Sequence, residues 1–564
     1  MIGVTELDIL LSGLPKLEAV DLSYSGLSVV TRNDAHYANP EFYELSLASC
    51  NLTVIPPFLR AMKKLHVLDL SGNHISGHIP AWAGEIGGNN LSYLDLSDNS
   101  IISLPEVRSD RLQYLYLRSN IIQGPFPQWI CDKKHLKYLD ISNNTITGMV
   151  PKCLQNISSS LVSLNVEYNM FQGPFPTTIC NMASLLYLYM SNNRFHGVLP
   201  ECLGNITSSL AMIHLGDNNF HGTIPKVYSG YCGLVGLILK GNKFEGEVPR
   251  SLAKCKSLKV LDLGNNQLNG TFPRWLGYLE KLQVLSLRSN SLQGTIETPA
   301  AKELLFPSLR ILDIANNGFV GRLPGEYFET FNAIKDVDKG PKTKFSGLYY
   351  YYNGVWKGQQ LFLSFSLILL VSVIDLSSNR FEGEIPKVIG DLKSLMALNL
   401  SHNNLIGQIP HALGNLFDIE ALDLSWNQLE GEIPQSLTKL NFLELLNLSQ
   451  NHLVGRIPEG RQFNTFSEDT YYGNPELCGM PLPRRCKQLS SPQVETKRGV
   501  WIYMEPVMLG LGCGTLLGLV WGYRMLSTGR PKWFNAIADA GGHTHTRRRK
   551  NRKHKHGLHV RKRT

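Results

Sequence analysis

Eight of the ten cysteines occur as pairs that are close in sequence, and such pairs can form disulfide bonds. Cys131 and Cys153 lie 11 and 9 residues beyond two successive asparagines of the repeat described below, and Cys180 and Cys202 have the same two offsets. Stacked repeats would bring each pair together. Four disulfides are therefore predicted, with the last in ELCGMPLPRRC, where a capping pair is expected: Cys131–Cys153, Cys180–Cys202, Cys232–Cys255 and Cys478–Cys486.

Glycan attachment is the second modification that the sequence allows, because N-x-S/T sequons are acceptors for N-linked sugars. The sequons are at Asn51, Asn90, Asn143, Asn156, Asn205, Asn269, Asn399 and Asn447. Segments such as NLS recur in the repeat, so a single sequon carries little weight. Together with the paired cysteines they favour an oxidising, extracellular environment over the reducing cytosol.

The sequence contains no comparable motif for catalysis. No catalytic triad, metal-ligand cluster or glycine-rich phosphate loop stands out from the repeat, so we predict a protein that is not an enzyme and uses no cofactor or metal. The five histidines after residue 540 have mixed spacing and no accompanying cysteine or carboxylate cluster, which argues against a metal site there.

The charge is divided unevenly along the chain. The formal net charge is +9, yet residues 524–564 carry 13 Lys/Arg and one acidic residue, and residues 1–500 have a net charge of −2. Nucleic-acid binding by the whole chain therefore loses its support. The basic tail is typical of a stop-transfer and topology signal that also contacts anionic lipid headgroups.

The elements that would position the cysteines and the sequons belong to a leucine-rich repeat. The pattern L-x-x-L-x-L-x-x-N-x-L occurs 17 times, and from Asn120 to Asn290 its asparagine recurs every 24 or 25 residues. Ser25 and Cys50 occupy the asparagine column in the first two copies. This period predicts an α/β-type leucine-rich-repeat solenoid, in which the leucines form one core and the asparagines bond the backbone of neighbouring turns.

The x positions of the repeat would line the concave surface of the sheet, which we call the x face. Aspartate and serine usually occupy these positions in this chain, so x positions with other residues are candidates for ligand recognition. Tyr116 and Tyr189 replace the usual aspartate, and Arg118, His214 and Arg288 come from copies 5, 9 and 12. Since tyrosine and arginine often anchor protein interfaces, we predict that this tract contacts an extracellular protein or peptide ligand.

A further stripe of tyrosines occupies the x position directly before the central leucine of the strand. It consists of Tyr93, Tyr114, Tyr138 and Tyr187. Because Y-L-D-L is an ordinary filling of the repeat, these tyrosines are interpreted as scaffold.

Residues 501–523 predict one transmembrane helix. The segment has no Lys or Arg, and 23 residues are enough to span a bilayer. Trp501, Tyr503, Trp521 and Tyr523 lie at its two ends, where aromatic residues anchor at membrane interfaces. The positive tail would place the C-terminus in the cytoplasm, which predicts a single-pass type I protein of the plasma membrane with extracellular repeats.

Four glycines, Gly510, Gly514, Gly518 and Gly522, recur every fourth residue in this segment. Each interior glycine costs a helix about 1 kcal/mol relative to alanine. In lipid, however, such a stripe lets a second helix approach closely. The 41 residues that follow are too few for a kinase domain. We therefore predict that the stripe contacts a membrane-spanning receptor kinase; the alternative is the general abundance of glycine in membrane helices.

One insertion interrupts the repeat, because Asn317 and Asn379 are 62 residues apart. Its segment LFLSFSLILLVSVI (361–374) is too short to span a membrane and is interpreted as buried strands that return to the solenoid. The predicted domains are repeats 1–13 at 1–324, an island at 325–370, repeats 14–17 at 371–458, a cap and juxtamembrane segment at 459–500, the membrane helix at 501–523 and the tail at 524–564.

Several motifs together carry a family resemblance. Most copies continue L-x-G-x-I-P after the asparagine, as in NNFHGTIP and NRFEGEIP, an island precedes the last four repeats, and ELCGMPL and GRPKWF flank the membrane segment. The chain resembles plant leucine-rich-repeat receptor-like proteins of the disease-resistance type. The resemblance implies a kinase-lacking receptor that recognises secreted microbial or parasite molecules and pairs with a receptor kinase. A minority of the family senses developmental peptide hormones, and that alternative stays open.

The N-terminus departs from the family pattern. Residues 1–27 contain no signal peptide and no paired-cysteine cap, so an N-terminally truncated chain is expected, and a nonfunctional fragment is an alternative. A secreted inhibitor of cell-wall-degrading enzymes would use similar repeats, but it would lack the island, the membrane segment and the tail.

Overall fold

The fold was analysed in a computed structural model, in which most of residues 1–486 are described. The predicted membrane helix with Gly510, Gly514, Gly518 and Gly522 lies outside the described residues, as does the basic tail. Within the described part of the chain, no helix has the length and apolar character needed to cross a membrane. The described residues are 4–7, 11, 14, 16–30, 42–228, 230–297, 303–335, 351–356, 359–364 and 371–486.

Each repeat contributes one three-residue strand to a long parallel sheet. The central residue of the strand is the leucine that points into the core, and neighbouring strands pair identical positions, as in Leu94, Leu115 and Leu139. The described residues contain 17 such strands. They are Ala19–Asp21, Glu44–Ser46, Val67–Asp69, Tyr93–Asp95, Tyr114–Tyr116, Tyr138–Asp140, Ser163–Asn165, Tyr187–Tyr189, Met212–His214, Gly236–Ile238, Val260–Asp262, Val284–Ser286, Ile311–Asp313, Val373–Asp375, Ala397–Asn399, Ala421–Asp423 and Leu445–Asn447.

A second parallel sheet is built from the L-x-G segment that follows each asparagine. Its strands are Gln123–Pro125, Thr145–Gly148, Met170–Gly173, Arg194–Val198, Asn219–Thr223, Lys243–Gly246, Gln267–Gly270, Ser291–Thr295, Gly318–Arg322, Arg380–Gly383, Asn404–Gln408, Gln428–Glu432, His452–Arg456 and Glu476–Cys478. Two smaller parallel pairs join Val4–Glu6 to Ser28–Val30 and Ser76–His78 to Ser100–Ser103. This second sheet is the structural counterpart of the G-x-I-P variant of the repeat.

Short helices complete the turns. Most are 3-10 helices that begin directly after the proline of G-x-I-P, whose fixed φ and missing N–H suit a helix start. A turn of 24 residues with two strands leaves little length for an α-helix. The 3-10 helices are Pro57–Ala61, Ala81–Glu85, Gln128–Asp132, Lys152–Ile157, Thr177–Asn181, Ile206–Ser208, Arg250–Lys254, Arg274–Tyr278, Lys387–Asp391, His411–Asn415, Gln435–Lys439, Gln462–Thr465 and Glu468–Tyr471; the α-helices are Cys202–Asn205, Gly325–Phe328 and Asn332–Lys335.

The asparagines form a hydrogen-bonded ladder between turns. The Oδ1 atom of Asn99 accepts from the Ile75 N–H of the preceding turn at 2.9 Å, and its Nδ2 donates to the carbonyls of Leu70 and Leu96 at 3.0 and 3.1 Å. The same arrangement recurs in every asparagine copy from Asn73 to Asn451. These hydrogen bonds therefore show the structural role that was predicted for the asparagine column.

The ladder has a further member that the sequence analysis missed. Asn474 accepts from the Leu453 N–H at 3.0 Å and donates to the Leu448 carbonyl at 3.0 Å. Residues 466–478 thus form an incomplete eighteenth turn inside the predicted cap. The consensus does not find it because Asp469 stands where the central leucine belongs.

The structure joins all four predicted cysteine pairs. Their Cα–Cα distances are 5.6, 5.9, 4.7 and 5.0 Å in chain order. The first three pairs link neighbouring turns at or beside the short helices, and the fourth closes an eight-residue separation within the cap. The first three cross-links hold neighbouring turns together at places where the backbone ladders of the two sheets do not reach.

The predicted island begins later than residue 325. The helices Gly325–Phe328 and Asn332–Lys335 bury Tyr327, Phe328 and Phe331 in the common core, so residues 325–335 pack as the last part of copy 13. Beyond them, Tyr351–Trp356 and Gln359–Ser364 form an antiparallel hairpin. The start of LFLSFSLILLVSVI belongs to this hairpin, and its end enters the long sheet.

Cys50 performs part of the asparagine role in copy 2. Its thiol donates to the carbonyls of Leu22 and Ala48 at 3.4 and 3.6 Å. Burial, with the nearby charges of Asp21 and Asp69, raises the pKa of the thiol to about 11, so the thiol keeps its proton at neutral pH. The N–H of Leu27, which an asparagine carbonyl would accept from in the other copies, reaches only the Ser25 hydroxyl at 3.4 Å.

We expect Cys50→Asn to stabilise the solenoid, because the amide would restore two strong donors and the missing acceptor for Leu27. Each restored hydrogen bond contributes about 1 kcal/mol. Cys50→Val should have the opposite effect, since it removes the thiol donor at nearly the same volume. Thermal unfolding of the purified full chain measures both. A lower melting temperature for Cys50→Asn than for wild type would show that packing of the sulfur outweighs the ladder.

Candidate functional site

The x face owes its composition to strand geometry. In each long-sheet strand the central leucine points into the core, and the residues on either side of it point to the opposite face. These positions lie outside the leucine core, so their side chains can vary without disturbing the leucines, and some of them, such as Met212 and Ile238, form a separate buried cluster of their own. The parallel register stacks equivalent positions into columns that run across the copies.

Tyr116 is part of an aromatic cluster on this face. Its ring lies edge-to-face with Tyr93 at 5.6 Å and tilted by 35° against Tyr114 at 6.5 Å, both measured between ring centroids. Tyr114 in turn stacks on Tyr138 at 5.0 Å with an interplanar angle of 7°. All four side chains are half-buried. We call Tyr93, Tyr114, Tyr116 and Tyr138 the tyrosine platform.

The platform changes the interpretation of the second tyrosine stripe. All four stripe tyrosines were interpreted as scaffold, but the structure places Tyr93 and Tyr114 in contact with Tyr116, and Tyr138 in contact with Tyr114. The signal was present in the sequence, because Tyr116 follows Tyr114 by two residues, and the strand register places Tyr93 and Tyr138 beside Tyr114. The fourth member, Tyr187, packs instead against a separate apolar cluster.

Tyr189 differs from Tyr116 in its surroundings. It is 3% exposed and lies in an apolar cluster with Met212 and Ile238. Its aromatic ring is therefore a buried part of this face, whereas the ring of Tyr116 is half-exposed.

His214 belongs to a polar cluster that the sequence analysis did not identify. Its Nδ1 atom lies 2.5 Å from Oε1 of Glu167, a contact that is an ion pair when the imidazole is protonated. The hydroxyl of Ser191 donates to the same oxygen at 2.6 Å. Glu167 and His214 are 8% and 9% exposed, so this carboxylate is held almost out of water. Burial raises the pKa of nearby Asp217, while the charges of Lys240 and His214 oppose that rise.

Arg118 connects the platform to this polar cluster. It is exposed and lines a shallow pocket of about 220 Å³ together with Asp140, Glu167 and Tyr168. Burial raises the pKa of Asp140, and the positive charge of Arg118 lowers it. Tyr116, Arg118 and His214 thus lie along one continuous tract of the x face.

Arg288 lies apart from that tract. Its Nη1 donates to Oδ2 of Asp313 at 3.2 Å on the next strand. It is three copies beyond His214, and its guanidinium crosses between neighbouring strands as a stabilising contact.

The predicted glycan sites differ in accessibility. Asn90 is half-buried and donates to the Lys63 carbonyl at 3.0 Å. Asn399 and Asn447 are strand residues of the x face whose side-chain oxygens accept from the N–H groups of Ser401 and Ser449. Glycosylation at all eight sites stays a prediction, and its geometry is most favourable at the exposed set of Asn51, Asn143, Asn156, Asn205 and Asn269.

Metal binding has no geometric support in the described ranges. There, His, Cys, Asp and Glu side chains form no group of three or more that could hold an ion.

Comparison with known proteins identifies the repeat and several related proteins. Leucine-rich-repeat family models match residues 110–171, 232–292 and 370–429, and a second such model matches 64–85 and 184–206. Receptor-like protein 53 of Arabidopsis thaliana is 36% identical over 94% of the chain, and receptor-like protein 49 of the same plant is 41% identical over 93%. Receptor-like protein 9DC3 of Solanum pimpinellifolium is 52% identical over 41% of the chain.

The chain spans only part of these relatives. It covers 51% of receptor-like protein 53, 59% of receptor-like protein 49 and 29% of receptor-like protein 9DC3.

Solved structures share the fold. The plant peptide hormone receptor RGFR1 in complex with RGF2 has a TM-score of 0.61 and 28% identity, over 78% of this chain and 68% of that one. The ectodomain of the Arabidopsis receptor kinase HAESA, in complex with an N-terminally extended IDA peptide hormone, has a TM-score of 0.58 and 27% identity, over 86% of this chain and 87% of that one.

We expect Glu167→Ala to destabilise the protein by about 1–3 kcal/mol, because it leaves the buried Ser191 hydroxyl without its acceptor and the buried His214 without its neighbouring carboxylate. Denaturant unfolding of the full chain, combined in a double-mutant cycle with His214→Ala, should give a coupling of at least about 0.5 kcal/mol. Glu167→Ala with the distant Arg288→Ala is the control and should be additive. Additivity in both cycles would contradict a direct Glu167–His214 interaction.

Proposed function

Because the chain belongs to the plant leucine-rich-repeat receptor-like proteins, we propose that it is a cell-surface receptor for an extracellular protein or peptide. The observation that carries the proposal is the continuous tract of departures on the x face, from the tyrosine platform through Arg118 to the Glu167–His214 pair. Aromatic and arginine side chains at such positions are the usual anchors of protein interfaces. Of the five predicted residues, Tyr116 and Arg118 are the most accessible and remain our proposed ligand contacts, whereas Tyr189 and His214 are buried and Arg288 lies apart from the tract.

The solved neighbours support a peptide or protein as the ligand. The two ectodomains described above hold peptide hormones, and their fold is the one found here. The x face is also broad, whereas a pocket for a small molecule is usually an enclosed volume of about 300–1,000 Å³. A ligand that crosses several copies therefore suits this surface better than a compact metabolite.

We place the repeats outside the plasma membrane and residues 501–523 across it. The four disulfides support an oxidising compartment for the repeats. The basic residues 524–564 would then lie on the cytoplasmic side against anionic lipid headgroups.

Signalling would require a second protein. Family members lack a kinase, so the proposed output is a receptor kinase that contacts the stripe Gly510, Gly514, Gly518 and Gly522. We propose immune recognition of a secreted microbial or parasite molecule as the biological role. The likeness to peptide-hormone receptor ectodomains favours one alternative, which is the sensing of a developmental peptide.

Immunopurification of the full chain from plant membranes tests the receptor mechanism. A receptor kinase should co-purify in mild detergent and in wash conditions that leave the membrane complex intact. Its absence would contradict the proposed route of signalling, and release of the chain from membranes by carbonate would point to a secreted inhibitor instead.

We expect Gly514→Leu with Gly518→Leu to keep the protein in the membrane and to lose the kinase, because two bulky side chains would separate the helices. Gly512→Leu is the matched control. In the predicted helix it makes the same chemical change on a face away from the stripe, and it should retain the kinase. Co-purification from the double variant at the wild-type level would show that the stripe is not the contact.

A further inference from the structure

The tyrosine platform is bordered by acidic side chains in the same column of the sheet. Asp69 pairs with Asp95 across neighbouring strands, and Asp95 pairs with Tyr116 on the next strand. Asp140 follows on the strand after that. The column therefore presents an aromatic ring between carboxylates, within a face whose rings already touch one another.

The local field around the platform is negative. Burial raises the pKa of Asp95, and the neighbouring charge of Asp69 raises it further. Burial also raises the pKa of Tyr93 and of Tyr116, and Asp95 is the next contributor in both cases. Arg118 acts on Asp140, at the other side of Tyr116. A cation placed at Asp69 and Asp95 would relieve this carboxylate repulsion.

The hydrogen bonds of Asp95 leave room for such a partner. Its Oδ1 accepts from the Ser97 N–H at 2.9 Å, and its Oδ2 accepts from the Tyr93 hydroxyl at the long distance of 3.4 Å. A carboxylate has about four acceptor positions, so further donors can be accommodated. The half-exposed rings beside it offer their negative faces to a positive charge.

We propose that the tyrosine platform and the Asp69–Asp95 pair bind an arginine side chain of an extended peptide ligand. The inference rests on the proposed receptor function and names the chemistry that its ligand must carry. A guanidinium is planar, stacks on aromatic rings and donates to carboxylates in a fork, whereas the lysine ammonium is compact and strongly hydrated.

The repeat itself supplies substitutions that keep the fold. Asparagine occupies the Asp95 position in copies 7, 15 and 17, as Asn165, Asn399 and Asn447, and serine occupies it as Ser46 and Ser286. Asp69→Ser, Asp95→Ser and Tyr116→Ser are therefore compatible with the solenoid, and serine, unlike asparagine, creates no N-L-S sequon at these positions. Asp423→Ser makes the same chemical change at the same position of copy 16, far from the platform along the chain.

The test uses the immobilised full chain in detergent and a soluble library of nine-residue peptides randomised at every position. Bound peptides are identified by mass spectrometry. We expect arginine to be enriched over the input several-fold, and more than lysine. The enrichment should be lost in Asp69→Ser with Asp95→Ser and retained in Asp423→Ser.

With a recovered arginine peptide, the contribution of its positive charge to binding can be measured directly. Replacing its arginine by citrulline keeps the shape and removes the positive charge, and should weaken binding at least about tenfold, as expected for a desolvated cation on aromatic rings and carboxylates. Tyr116→Ser should weaken the arginine peptide and leave the citrulline peptide nearly unchanged.

The outcomes separate this inference from the proposed function. Peptides recovered without arginine enrichment, or an enrichment that survives Asp69→Ser with Asp95→Ser, would overturn the arginine assignment and leave a peptide receptor standing. If no peptide were retained above the blank resin, both the arginine assignment and a peptide ligand would be contradicted.

Discussion

One buried interaction determines the rest of the molecule, namely the asparagine amide that bonds the backbone of two successive turns. Where a long-sheet strand ends, the chain must turn inside the protein, and unpaired N–H and carbonyl groups there would each cost about 1–3 kcal/mol. The amide of Asn99 satisfies groups of both its own and the preceding turn. Repeated from Asn73 to Asn474, it fixes the register of every strand.

Register then decides where function can arise. Leucine and asparagine positions are committed to the core and the ladder, so variation is confined to the x positions, which the register gathers into columns. A single tyrosine in place of aspartate would be a minor surface change. Beside Tyr93, Tyr114 and Tyr138, this tyrosine forms part of an aromatic surface. The same register brings Glu167 next to His214, two copies away.

The sequence predicted the features that depend on period alone. The solenoid, the strand register and the three cysteine pairs between repeats follow from the offsets within the repeat, and the structure shows the same geometry. Features that depend on what an individual side chain touches were not predicted. Asn474 was missed because Asp469 interrupts the leucine pattern. The island boundary was set too early because Tyr327 and Phe331 continue the core without the consensus. Glu167 was overlooked because its partner lies in another copy of the repeat.

The ladder also constrains how a ligand could act on a partner. Each turn of a solenoid contacts only its neighbours, so a change at the tyrosine platform must pass through every later turn to reach the cap. The ladder continues across the insertion, where Asn379 bonds Phe319 and Ile314 of copy 13, and it resists bending there as elsewhere. Transmission through the solenoid by a large conformational change is therefore disfavoured. A ligand that itself contacts both the x face and a second ectodomain needs no such change, and this favours recruitment of the partner as the first step of signalling.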